Sequence, residues 1–318
     1  MDTMKLILGT MNFGPQVDNE GSCAMVKTFL EEGYNELDTA YVYNEGETEK
    51  ILGSVLKDFE DGSLSLATKV NPRVTGKLDG AAVTMQFEES LRRMSRDAVD
   101  ILYFHFPDPI TPIEDALEVC AKLHEQGKFK ELGLSNFPAW SVVDIWHMCK
   151  ERGWPLPTVY QGMYNGLTRN VEEELFPALR KLGIRFYAFN PLAGGLLTGK
   201  HKSFDEEPQT GRFARLKSYR SRYWKESYFE AVSVLTTTCQ KAGIKPAEAA
   251  YRWLACHSLL DKSLGDGTII GASNMDQFKQ NLSAVQKGPL PEDLVEAFAH
   301  AWEETKVDSP PYFKYVSG

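Results

Sequence analysis

The sequence predicts an α/β fold: a TIM-type (β/α)8 barrel with a long loop after the seventh strand and a C-terminal helix and tail. Three observations carry that expectation. Short apolar runs alternate with amphipathic segments along the chain, a pattern that calls for parallel strands joined by helical crossovers. The polar residues that close the runs stand at 38, 69, 105, 135, 161 and 190, about thirty residues apart, the length of one βα unit. No G-x-G-x-x-G follows the first run, which sets aside an open doubly wound sheet. At 318 residues the chain suits one barrel of ~250 residues with insertions, and residues 1–318 are expected to form one domain.

The expected strands are residues 5–8, 34–37, 65–69, 101–105, 130–134, 158–161, 185–189 and 268–270. Helices are expected between them at 22–32, 48–57, 81–94, 113–126, 140–150 and 171–182. Apolar residues recur there three and four apart, as in Leu117, Cys120, Ala121 and Leu123. Gly33, Gly127, Gly153 and Gly183 stand where a glycine ends a helix. After residue 190 the spacing lengthens. Residues 200–222 read as a long polar loop, followed by helices at 228–241 and 246–257. A last helix at 292–305 and an irregular tail from 309 to 318 complete the chain.

A hydrophobic fraction of 42%, a charged fraction of 25% and a net charge of -9 describe an ordinary globular protein. That charge argues against nucleic acid or an anionic membrane as a partner. Five scattered cysteines without a C-x-x-C pair suggest free thiols in a reducing compartment. The start is too short and too weakly apolar for a signal peptide, and no apolar run is long enough to span a membrane, so a cytoplasmic protein is expected.

In such barrels the site lies at the C-terminal ends of the strands. Read there, the chain offers Asp38, Lys69, His105, Ser135, Asn136, Gln161, Asn190 and the Gly271-Ala272-Ser273 turn, with Tyr43 five residues beyond Asp38. Each alone is an ordinary strand terminator or core residue; together they form a proton-donating constellation. A tyrosine is a weak acid, with an unperturbed pKa of about 10. A neighbouring lysine ammonium lowers that value, Asp38 supplies the counter-charge for Lys69, and a neutral His105 can orient a carbonyl oxygen. A hydride must come from elsewhere, so a nicotinamide cofactor is implied.

These residues carry a resemblance. Leu37-Asp38-Thr39-Ala40 with Tyr43, Ala67-Thr68-Lys69, Tyr103-Phe104-His105, Gly133-Leu134-Ser135-Asn136 and Gln161-Gly162-Met163-Tyr164-Asn165 resemble the aldo-keto reductase superfamily. The run from Asn190 through Gly194, Gly195 and Gly199 to Lys200, with Gly211-Arg212-Phe213 and Tyr219-Arg220-Ser221-Arg222-Tyr223-Trp224-Lys225-Glu226, is similar to the aflatoxin-aldehyde and succinic-semialdehyde reductase branch. The resemblance covers about residues 8 to 313. It implies reduction of an aldehyde or ketone with NADPH, with Tyr43 as proton donor, Asp38 and Lys69 tuning it, and His105 orienting the substrate. It places Ser135, Asn136 and Gln161 at the nicotinamide, and Asn190, Pro191, Leu192, Gly194, Gly195, Leu196, Gly199 and Lys200 around the pyrophosphate. It places Arg212, Arg222, Ser273, Gln277 and Asn281 at the adenosine 2′-phosphate, and Tyr219 and Lys314 at the substrate. The branch also suggests a homodimer. Its tail ends in Pro-x-Tyr-Phe-Arg, whose arginine pairs with a substrate carboxylate; here Pro311-Tyr312-Phe313-Lys314 stands instead, keeping the charge without the planar fork.

Rival chemistries find less support. Gly194 to Lys200 nearly matches a phosphate-binding P-loop, but His201 follows where Ser or Thr is needed. The histidines show no H-x-H or H-E-x-x-H for zinc, and a glycosidase would need two facing carboxylates. A cofactor-binding sensor with little turnover is the alternative from another class.

Overall fold

The computed structural model describes residues 4–59, 62–209 and 211–315; residues 1–3 at the expected leader-free start and 316–318 of the expected tail lie outside them. Strands β1 (Lys5–Gly9), β2 (Glu36–Asp38), β3 (Ser65–Val70), β4 (Val99–Phe104), β5 (Phe129–Ser135), β6 (Pro157–Met163), β7 (Arg185–Phe189) and β8 (Gly267–Ile270) pair in sequence order into a closed barrel. All pairings are parallel, and β8 returns to β1 through Lys5↔Gly267 to Leu8↔Ile270.

Side chains alternate along each strand. One set fills the barrel: Ile7, Ala67, Ile101, Tyr103, Val159, Tyr187 and Ile269 form a cluster of their own. Their strand neighbours, such as Leu6, Leu8, Leu66 and Leu102, pack outward under the helices. Gly133 is needed here, because a Cβ would stand 2.3 Å from the Tyr103 ring. Two residues above the interior set come the polar ones: Asp38 above Glu36, Lys69 above Ala67, His105 above Tyr103, Gln161 above Val159. The period of two that builds the core therefore aims them into the mouth. The opposite end is closed by an ionic plug. Lys5 pairs with Glu36 at 2.7 Å and bonds the Tyr187 hydroxyl at 2.6 Å, and Arg185 pairs with Glu131 at 2.6 Å.

Helices α1 (Asn19–Glu31), α2 (Glu47–Val55), α3 (Gly80–Met94), α4 (Glu114–Glu125), α5 (Ala139–Arg152) and α6 (Leu175–Leu182) wrap the first seven strands. Asp18 and Asp79 cap α1 and α3 by accepting from Gly21 and Ala82 N–H at 2.8 Å each. Two boundaries differ from expectation. Tyr34 precedes β2, and its ring stacks on Phe29 of α1 at 5.3 Å. The helix expected at 171–182 begins at Leu175, so that Pro177 falls in its first turn, where no N–H is required.

The expected polar loop at 200–222 contains two short helices, α7 (Gly211–Arg215) and α8 (Lys217–Tyr223). Their exposed sides are basic, so only Phe213, Tyr219 and Tyr223 face inward, too few for a periodic signal. Helices α9 (Glu226–Lys241), α10 (Pro246–Cys256), α11 (Met275–Val285) and α12 (Glu292–Thr305) follow. The sequence reading passed over α11, whose stripe of Phe278, Leu282 and Val285 is thin and set among amides; Asn274 caps it by accepting from Gln277 N–H. No helix among the described residues is long and apolar enough to cross a membrane.

Candidate active site

The strand ends line a cleft of about 840 Å³ over the barrel mouth, within the usual size range of ligand sites. At its floor, fully buried Lys69 donates to both Asp38 carboxylate oxygens at 2.7 Å and to the Thr39 carbonyl at 2.6 Å. The Gln161 amide donates to the same Asp38 at 2.8 Å. Behind them, buried Glu49 accepts from Thr68 at 2.7 Å and pairs with Arg93 at 3.1 Å.

Tyr43 opens a tight turn over this pair. Asn44 and Glu45 take left-handed φ values of 50° and 57°. The Asn44 amide donates to the Met11 and Phe13 carbonyls and to Thr48, which holds that backbone in place. The Tyr43 ring lies 5.1 Å below the Lys69 ammonium and edge-on to His105 at 6.0 Å. The expected depression of the Tyr43 pKa is not met: burial, then Asp38 and Tyr219, push it well above the usual value, against a lowering pull from Arg212. Burial is the main cause, and the Lys69 ammonium is turned to Asp38 and Thr39. Tyr43 therefore stays a protonated phenol at neutral pH.

His105 follows β4 directly. Burial, with the charges of Lys69, Arg73 and Arg222, holds its imidazole well below the ordinary pKa, so it is neutral. Asn71 sets its tautomer. The Asn71 carbonyl oxygen accepts the Arg73 N–H at 3.0 Å, which turns its amino group toward His105 Nδ1 at 3.3 Å. The proton is then on Nε2. Phe106 stacks on the imidazole at 4.8 Å, and the His105 carbonyl accepts from the Asn136 amide at 2.9 Å.

Most of the other expected site residues also line the cleft. Asn136 takes a φ of 64° and bonds Ser135 at 3.0 Å; its carbonyl accepts the Lys314 N–H at 3.1 Å. Asn190 is held by Tyr223, Tyr219 and Asn165. Pro191, Leu192, Gly194, Gly195 and Lys200 form one wall, in a turn where Gly194 and Gly195 take φ values of 72° and 112°. Leu196 and Gly199 do not line the cleft: Leu196 is buried in the core, and Gly199 closes the turn with its N–H on the Leu196 carbonyl. Ser273, Gln277 and Asn281 line the far end, where Asn281 donates to the Gly271 carbonyl and Gln277 accepts the Ser273 N–H. Arg212 donates to Asn12, which in turn donates to the Ala272 carbonyl.

Arg222 also lines the cleft; its guanidinium and that of Arg212 stand 5.4 and 5.0 Å from the same Tyr219 ring, and its charge acts on His105, Arg73 and Lys314. The Lys314 side chain is exposed in the tail, outside the cleft lining. The sequence reading missed Asn12, Asn71, Arg73 and Lys245, all of which line the cleft. Asn71 and Arg73 had a signal, standing two and four residues past a strand-end lysine; Asn12 and Lys245 had none. The far limb suits a phosphorylated dinucleotide: Lys200, Arg212 and Lys245 line it, and none of them makes an ion pair among the described residues.

A model of the Aldo/keto reductase family matches residues 5–303. The chain is 46% identical to "Aflatoxin B1 aldehyde reductase member 2" of Rattus norvegicus, over 97% of this chain and 87% of that protein. It is 45% identical to "Aldo-keto reductase family 7 member A3" of Homo sapiens, over 97% and 96%. It is 36% identical to "Oxidoreductase sirO" of Leptosphaeria maculans, over 98% and 97%.

Proposed function

The chain belongs to the aldo/keto reductase family, and from that premise we propose that it reduces an aldehyde or ketone to the alcohol with NADPH, Tyr43 giving the proton. The family membership supports an NADP-dependent oxidoreductase acting on carbonyl compounds. NADPH, when bound, supplies the hydride that no side chain can give.

The observation that carries the assignment of roles is the convergence of Tyr43 and neutral His105 above the buried Lys69–Asp38 pair. His105 Nε2–H donates to the carbonyl oxygen and sets its position. As negative charge grows there, Tyr43 O–H transfers its proton, and the alcohol forms. A developing alkoxide is a stronger base than a phenolate, so the transfer runs downhill even from a raised phenol pKa. Arg212, the charge that pulls the Tyr43 pKa down, favours the phenolate left behind, which solvent reprotonates.

Ser135, Asn136 and Gln161 would hold the nicotinamide carboxamide and flank its ring, and the turn from Asn190 to Lys200 would wrap the pyrophosphate. Arg212, Ser273, Gln277 and Asn281 would hold the adenosine end and its 2′-phosphate, where a guanidinium forks onto phosphate. Arg222, with its charge at His105, is assigned to the carbonyl side together with Tyr219 and Lys314. The reading covers aldehyde detoxification or a dedicated step in secondary metabolism, by a homodimer in the cytoplasm.

Tyr43→Phe tests it. NADPH binding, followed by quenching of protein fluorescence, is retained. Oxidation of NADPH by 4-nitrobenzaldehyde falls about 10²- to 10⁴-fold. Near-normal turnover in the variant would remove Tyr43 as the acid. Bound NADPH with no turnover of any aldehyde by the unaltered protein would favour a sensor.

A further inference from the structure

Beside His105 two arginines, Arg73 and Arg222, line the cleft without an acid between them. Arg73 lies in the turn after β3, with its N–H fixed by Asn71. Its guanidinium stands 4.3 Å from the Phe106 ring, and that ring stacks on His105 at 4.8 Å. Arg222 of α8 lines the same cleft, with its guanidinium 5.4 Å from the Tyr219 ring, and exposed Lys314 follows in the tail. Burial, then Arg73 and Arg222, lower the Lys314 pKa, and burial and then Arg222 lower that of Arg73. Neither arginine makes an ion pair among the described residues. Of the acids lining the cleft, Asp38 is taken by Lys69 and Gln161, and Glu45 is exposed on the rim. Like charges held together without a counter-charge repel, and a bound anion relieves that repulsion.

Resting on the reductase reading, we propose that Arg73 is a specificity-determining residue that takes the carboxylate of an anionic carbonyl substrate. It supplies the planar fork that Lys314 lacks. The Phe106 ring underneath holds the guanidinium in place.

The test is the ratio of kcat/KM for 2-carboxybenzaldehyde to that for benzaldehyde, which differ by the carboxylate alone. In Arg73→Gln that ratio falls between about tenfold and a hundredfold, the worth of a hydrogen-bonded charge. Arg73→Lys recovers part of it, and added salt lowers the ratio in the unaltered protein. The NADPH Kd of Arg73→Gln shifts far less than the ratio. An equal fall for both aldehydes would make Arg73 a structural residue, and a matching loss of NADPH affinity would make it a cofactor contact; either overturns the proposal. If the unaltered protein reduces neutral aldehydes without preferring the anionic one, the Arg73 assignment fails and the reductase reading stands. If it reduces no carbonyl at all, the reductase reading itself fails.

Discussion

Asp38→Asn removes one charge from a buried pair and strands the other. The Lys69 side chain is 0% exposed, and its ammonium is held by two carboxylate oxygens at 2.7 Å and one carbonyl at 2.6 Å. Removing one partner of such a pair costs about 3–5 kcal/mol. Asparagine keeps one accepting oxygen, and Glu49 still acts on Lys69 from behind, so the loss should fall near the lower end, ~3 kcal/mol. At about 2–4 °C per kcal/mol for a large domain, Tm drops by roughly 6–12 °C. The pH dependence carries a sign. Burial already lowers the Lys69 pKa from 10.5, with Asp38 pulling it back up; without Asp38 it falls further. The folded variant then releases the Lys69 proton at a lower pH than the unfolded chain does. Between those two values the unfolded state binds more protons, so stability rises with pH. The deficit is therefore full below the folded pKa and shrinks as pH approaches 10.5. Thermal unfolding of the unaltered protein, Asp38→Asn and Asp38→Asn/Lys69→Met, run from neutral to alkaline pH, reads both effects. The double variant, with no stranded charge, should melt above the single one. If it does not, or if the deficit stays constant as pH rises, the account of Lys69 as a charge held by Asp38 is wrong.

Other substitutions probe the rest of the cleft. Asn71→Leu frees the His105 tautomer and should lower kcat roughly tenfold, the worth of one hydrogen bond; an unchanged kcat would refute the tautomer argument. In the unaltered protein kcat should show no imidazole titration near the usual value, because His105 stays neutral; a step there in the pH profile would contradict it. Gly194→Ala forces an alanine to φ 72° with its Cβ 2.9 Å from the Tyr219 ring, and about 1–2 kcal/mol of backbone strain should raise the NADPH Kd about tenfold. Arg212→Ala should weaken NADPH binding more than NADH binding, and equal losses by titration would remove the 2′-phosphate contact.

The barrel was legible because strand ends, glycines and helical stripes recur with one spacing, and the floor of the site because strand alternation aims alternate residues into the mouth. Asp38, Lys69, His105 and Gln161 all followed from that rule. What failed to read was set by contacts between segments distant in the chain. Tyr34 looked like strand until its ring was seen on Phe29. The protonation of Tyr43 depends first on its burial, which no spacing records. Arg73 stands past a proline in an ordinary-looking turn, and only the stacking of Phe106 on His105 gives it a place near the chemistry.

The tail has a practical consequence for anyone handling this protein. Tyr312 bonds Ala139 N–H at 3.0 Å and Glu174 at 2.6 Å, and two residues later the Lys314 backbone is bonded to Asn136. A purification tag or fluorescent fusion joined after residue 318 would start a few residues from Asn136 in the cleft wall, tugging on that anchor and crowding the entrance. The N-terminal strand begins at the other face, beside the Lys5–Glu36 plug. Handles, surface tethers and display linkers therefore belong at the N-terminus, and kinetic constants measured with a C-terminal handle should be repeated after it is cleaved.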